Sequence, residues 1–111
     1  MTVAEQRSQA LDRANAARVG ARRFKDSLAL LPRREATLEL ARVLIEDHEL
    51  VGAMEVHRVL LVAPKFGPEK VRRLLSREMI WPLRLVRSLS PRQRTRLAGA
   101  LVRHAARMGK T

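Results

Sequence analysis

The stretch 56–75 constrains the fold more tightly than any other part of this chain. Val56, Val59, Leu60 and Ala63 recur at i, i+3, i+4 and i+7, which is one apolar face of a helix, and Val71, Leu74 and Leu75 resume the spacing further on. Between them stands Ala63-Pro64-Lys65-Phe66-Gly67-Pro68, which a continuous helix cannot accommodate. Pro64 pushes Ala63 out of the α region. Gly67 is free to take a positive φ or to leave its backbone open to a partner. Pro68 suits the first position of a new helix, with Gly67 as its cap. The expected product is a tight helix–turn–helix hairpin, with backbone N–H groups at the start of its second helix that find no partner inside that helix.

A helix start of this kind can hold a phosphate, because its free N–H groups and the positive end of its dipole both favour an anion. Lys65, Lys70, Arg72 and Arg73 surround it in sequence. The alternative is a structural turn whose cations are merely solvated. Charge distribution favours the phosphate reading. The net charge is +12, yet residues 1–52 carry 9 basic and 8 acidic side chains whereas residues 53–111 carry 14 and 3. So lopsided a field suits a polyanionic partner, and the predominance of arginine suits forked contacts to phosphates and bases.

The remaining chain reads as helix throughout, and no strand pattern is present. A first helix is expected over residues 3–31, on the seam Ala10, Ala14, Ala17, Ala21, Phe24, Leu28, Leu31. Its alanine front propagates helix but buries little, so the back half should dock while the front projects or frays. Arg7, Arg18, Arg22 and Lys25 share another face, either solvated or a second nucleic-acid strip, with Arg18, Arg22 and Lys25 the candidates for it. Pro32 ends this helix. A second is expected from Arg34 to about Asp47, with Leu38, Ala41 and Ile45 in one line and Leu40 and Leu44 beside it. The cluster Glu46-Asp47-His48-Glu49 reads as an acidic helix end and linker rather than a set of ligands. After the hairpin, Trp81 is the only tryptophan, either a wedge between bases or a packing residue beside Ile80. A short helical turn over 83–87 would present Arg84 and Arg87 together. Ser90-Pro91-Arg92-Gln93 has a helix start's cap, first-position proline and capping-box glutamine. The last helix should run to about Arg107, with Leu97, Leu101 and Ala105 inward and Arg92, Arg96, Arg103 and Arg107 on a polar stripe; residues 108–111 form a tail.

With 111 residues, 46% of them hydrophobic, the chain suits one all-α domain: an arm-helix over 1–31, a core over 34–107 and a tail. The absence of cysteine rules out disulfides and thiolate chemistry and fits a reducing cytoplasm. No signal-peptide pattern and no membrane-length apolar run is seen. His48, His57 and His104 lack metal-ligand spacing, and neither a phosphate-binding glycine loop of the nucleotide-hydrolase type nor a nucleophile elbow is found. No cofactor and no catalysis are expected. Aromatic residues amount to 3%, too few for a single-strand stacking platform. A duplex contacted through phosphates and grooves fits better.

Nearly the whole chain resembles the actinobacterial integration host factors, small nucleoid proteins unrelated in fold to the enterobacterial factor of that name. The resemblance lies in the alanine-rich arginine helix with Arg18 and Lys25, then Val51-Gly52, Met54 and Val56 leading to the hairpin with Pro64 and Gly67. It continues in Ile80, Arg84, Val86, Arg87, Leu89 and Gln93. It implies a helix-two-turn-helix domain of about five helices, and largely sequence-independent duplex DNA binding with bending or compaction in the nucleoid. It also implies support of a phage-type integrase, with the proline–glycine turn near the DNA backbone and Arg84 and Arg87 in contact with DNA. Three positions depart from the family pattern: Lys65 where glycine is usual, Leu85 where arginine is usual, and Pro68 in place of a basic residue. Lys70, Arg72 and Arg73 are the nearest substitutes for that lost charge. A monomer is expected without DNA. Two other functions are compatible with the residues: binding of structured RNA, as in ribosomal helix-two-turn-helix proteins, and a protein-interaction module using the seam of the first helix.

Overall fold

The computed structural model describes residues 2–108, and their side chains apart from those of 13–18 and 21. The fold is all-α. Five α-helices follow in order: α1 (Val3–Ala29), α2 (Arg33–Glu46), α3 (Val56–Leu61), α4 (Pro68–Arg77) and α5 (Pro91–Met108), with 3-10 turns at His48–Val51 and Val86–Ser88. An isolated antiparallel bridge joins Glu55 to Leu85, and there is no strand among the described residues.

Helix α1 begins on a capping box. The Thr2 hydroxyl accepts from the Glu5 N–H at 3.2 Å, and the Glu5 carboxylate accepts from the Thr2 N–H at 3.1 Å. Phe24 and Leu28 are buried, whereas Val3 and Leu11 are exposed, so the back half docks and the front projects. The radius of gyration, 15.2 Å, exceeds the roughly 13 Å of a compact chain of this length because of that projection. Leu31, expected on the docked seam, is 38% exposed; the helix has ended at Ala29 and the seam no longer points inward. Ala14, Ala17 and Ala21 of the same seam lie outside the described side chains.

The principal packing pairs α2 with α5. Thr37, Leu40, Ala41 and Leu44 form the buried face of α2, and Leu97, Ala98, Leu101 and Ala105 that of α5. Thr37 is tolerated because its hydroxyl donates to the Arg33 carbonyl at 2.9 Å. Each wholly buried leucine here contributes about 1.5–3 kcal/mol relative to exposure. The buried face is centred one residue away from the expected line: Leu38 and Ile45 are exposed, since the i, i+3, i+4, i+7 set that faces α5 begins at Thr37. Helix α5 starts on the expected capping box, with the Ser90 hydroxyl accepting from the Gln93 N–H at 3.1 Å and the Gln93 amide oxygen accepting from the Ser90 N–H at 2.9 Å.

The hairpin of α3 and α4 packs Val56, Val59, Leu60 and Ala63 against Val71, Leu74 and Leu75 within one core cluster. The expected turn consists of two consecutive turns that share Ala63. The Ala63 N–H donates to the Leu60 carbonyl and the Phe66 N–H to the Ala63 carbonyl, both at 3.1 Å.

The segment before α5 differs from expectation. A helical turn over 83–87 does not form; only Val86–Ser88 is helical. The reason is pairing with the chain before α3. Val56 donates to the Arg84 carbonyl at 2.8 Å, and Val86 donates to the Met54 carbonyl at 3.0 Å. These bonds flank Leu85 and hold it extended in the bridge to Glu55.

Candidate functional site

The two-turn segment gathers the first set of candidates. Pro64 occupies the second place of the turn 63–66 and Lys65 the third, at φ 59°. Proline followed by a positive φ is the signature of a type II turn, whose third place ordinarily takes glycine. The left-handed residue is therefore Lys65 and not Gly67, whose φ is −72°. The turn holds its form because Phe66 is buried and because His104 of α5 lies 2.9 Å from the Pro64 carbonyl through Nε2. The His104 ring also meets that of Phe66 edge-on, with centroids 5.0 Å apart.

Helix α4 starts as expected, with Gly67 as cap and Pro68 in the first position. The N–H groups of Lys65, Gly67, Glu69 and Lys70 have no acceptor among the described residues; the first intrahelical bond runs from Val71 to the Gly67 carbonyl. One anion is already present there. Glu69 sits in the first turn and accepts from Arg72 at 2.7 Å. That hydrogen bond is the main reason its carboxyl lies below the ordinary carboxylate range.

The basic residues of α4 divide between two faces. Lys70 and Arg73 line a groove of about 270 Å³ between α4 and α5, together with Arg77, Arg103 and Arg107, over a floor that includes Phe66 and His104. Arg72 lies elsewhere, at the rim of an apolar recess with His57, Leu61 and Pro82, and is engaged by Glu69. Arg72 and Arg73, paired as candidates by their adjacency in sequence, are separated here, and Arg77, Arg103 and Arg107, which that adjacency does not mark, join the groove. The spacing of Arg103 and Arg107 on either side of His104 was the available signal; only the packing of α5 against the hairpin brings them to the same groove. A second trough, of about 470 Å³, is lined by Arg33, Arg34, Lys65 and again Arg107.

Arg84 and Arg87 lie at the other end of α3, which at six residues is roughly 9 Å long. The Arg84 guanidinium donates to the Ser88 carbonyl at 2.9 Å and to its hydroxyl at 3.2 Å, fixing it over the 3-10 turn. The Arg87 N–H donates to the Gly52 carbonyl at 3.1 Å. Gly52 is needed for this approach: a Cβ there would stand 3.2 Å from both the Arg87 Cβ and the His48 carbonyl oxygen. Both arginines are exposed, as are Arg22 and Lys25 on α1; Arg18 lies outside the described side chains. Trp81 is 67% exposed, which sets aside its packing role beside Ile80, itself buried.

No metal-binding group of three histidine, cysteine or acidic residues occurs among the described residues, and no described helix is long and apolar enough to cross a membrane. Fold and site together define a class: an all-helical protein that displays a cationic two-turn hairpin beside cationic grooves. Comparison with known proteins narrows it. The chain is 38% identical over 95 residues to the integration host factor of Mycobacterium tuberculosis, covering 84% of this chain and 86% of that protein. It is 36% identical over the same coverage to the integration host factor of Mycolicibacterium smegmatis. The chain belongs to this integration host factor family. No family model and no solved structure matches it.

Proposed function

We propose that this protein is a nucleoid-associated architectural protein that binds duplex DNA with little dependence on sequence and bends or compacts it. The observation that carries the reading is the two-turn segment. Four backbone N–H groups without acceptors among the described residues stand there beside Lys65 and Lys70, in a chain of the integration host factor family with net charge +12. Backbone N–H groups at a helix start contact phosphate without reading sequence. Arg84 and Arg87 add side-chain contacts at the far end of α3, in a groove of the duplex where arginine stabilises deformed DNA. Arg18, Arg22 and Lys25 on α1 supply a second strip. The function is binding rather than catalysis, carried out on chromosomal DNA in the cytoplasm, by a chain acting as one domain and monomeric before it meets DNA. An integrase partner follows the same family reading.

The test is binding to a short random duplex across a salt series. With about five phosphates contacted, log affinity should fall with log salt at a slope of roughly −4 to −5. A slope near zero overturns the mechanism. Arg84→Ala with Arg87→Ala should weaken all sequences alike. The matching RNA duplex is measured alongside, and preference for it would move the assignment to structured RNA.

A further inference from the structure

We infer that the α4–α5 groove is a further binding site for the sugar-phosphate backbone of nucleic acid, adjoining the two-turn hairpin, with which it shares Phe66 and Lys70, and distinct from the Arg84–Arg87 cluster and the α1 strip. The inference rests on the DNA-binding reading above. Five cations from two helices, Lys70, Arg73 and Arg77 facing Arg103 and Arg107, line one groove. Among the described residues Glu78 stands 4.0 Å from Arg77 and the charge of Glu69 acts on Arg73, but neither carboxylate lines the groove. Five like charges around one groove repel each other, and a bound polyanion is what relieves them. The floor strengthens the field. It is apolar and buried where Phe66, Leu74 and Ala100 close it, and a low-dielectric wall concentrates the potential of the cations above it.

The dimensions suit a strand better than a small anion. Lys70 to Arg77 spans roughly 10 Å along α4, the axial rise of about three phosphates on one strand. The cationic surface also continues beyond this groove. Arg107 is shared with the second trough, where Lys65 meets Arg33 and Arg34. Those two arginines share the first turn of α2 with Glu35, at the positive end of a helix dipole, where a further anion is favoured. Lys65 places this path beside the hairpin turn, and the bond from His104 to Pro64 joins turn and groove. The backbone that enters the groove belongs either to the duplex already held by the hairpin or to a second duplex.

The test compares the full chain with the Arg103→Ala/Arg107→Ala variant. Both side chains are exposed, so melting should be unchanged, and Arg103→Lys/Arg107→Lys controls for charge against packing. Two measurements are made: the salt slope on a single random 20-base-pair duplex, and capture of a second, labelled duplex by protein held on an immobilised one. A slope reduced in magnitude by roughly 2 on the single duplex, restored by the lysine variant, places the same duplex in the groove. An unchanged slope with loss of second-duplex capture places a second duplex there. If neither changes, while Arg84→Ala/Arg87→Ala still weakens binding, the groove inference fails and the duplex-binding reading stands. If the unaltered protein binds no duplex at all, the DNA reading itself fails.

Discussion

The imidazole Nε2 of His104, on the last helix, lies 2.9 Å from the carbonyl oxygen of Pro64 at the tip of the hairpin turn. Forty residues separate the two, and both the turn and the cationic groove depend on the contact. The ring is 6% exposed, so losing it leaves a space against Phe66 and removes the Pro64 carbonyl's side-chain donor. His104→Ala should cost about 2–4 kcal/mol of stability. His104→Gln, whose amide N–H can reach the same carbonyl, should recover part of it. Denaturant melts of the two variants check this; equal losses would show that packing alone matters.

Lys65 holds a φ of 59° that a glycine adopts without the clash between Cβ and carbonyl. Lys65→Gly should therefore leave stability unchanged or raise it by about 0.5–1 kcal/mol. It should also weaken duplex binding, by roughly fivefold at 0.15 M salt if one phosphate contact is lost. Melting and binding should thus move in opposite directions. A drop in stability would show that the Lys65 side chain supports the turn.

Gly52→Ala forces a Cβ to within 3.2 Å of the Arg87 Cβ and of the His48 carbonyl oxygen. Neither can retreat far, since the Arg87 N–H is bonded to the Gly52 carbonyl and Val86 is wholly buried. The expected cost is about 1–3 kcal/mol. Amide exchange should quicken in the segment Val86–Ser88, and duplex binding should fall although no cation has been removed. Unchanged exchange there would contradict the close approach.

Glu69 stands at the start of α4, with its carboxyl held below the ordinary range by the Arg72 hydrogen bond. A lowered folded-state pKa means its stabilising contribution is complete above the unfolded value and is lost as pH falls through the folded one. It is therefore ionised throughout the neutral range, and it competes with phosphate for the helix start. Glu69→Gln at neutral pH should tighten duplex binding about two- to fivefold while slightly weakening α4. If affinity does not change, phosphate is not bound at this helix start.

Trp81 offers an internal probe, since the chain has one tryptophan and no tyrosine. At 67% exposure its fluorescence should be that of a water-exposed indole, and Trp81→Ala should change stability by less than about 0.5 kcal/mol. Quenching on addition of duplex would be the signature of stacking against bases; an emission typical of buried indole would contradict the exposed position.

Local chemistry made much of this legible from sequence. The hairpin's apolar spacing, Gly67 and Pro68 at the start of α4, the Ser90–Gln93 capping box and the buried Phe24 and Leu28 all follow from the neighbours of each residue along the chain. Helical periodicity, proline sterics and capping act over a few residues and need no fold to operate. The sequence also shows that the cations concentrate after residue 52. What it could not show was which of them meet. Arg72 and Arg73 are adjacent in sequence yet line different recesses beside α4, and Arg103 and Arg107 join Lys70 only because α5 packs beside the hairpin. The left-handed residue proved to be Lys65 rather than Gly67, since Phe66 and His104 fix the turn from outside it. The turn over 83–87 did not become helix because the chain before α3 took its backbone hydrogen bonds. Local propensity thus determined the helices, the hairpin and the sign of the field. Long-range packing, which alone decides which surfaces face one another, determined where that field is gathered.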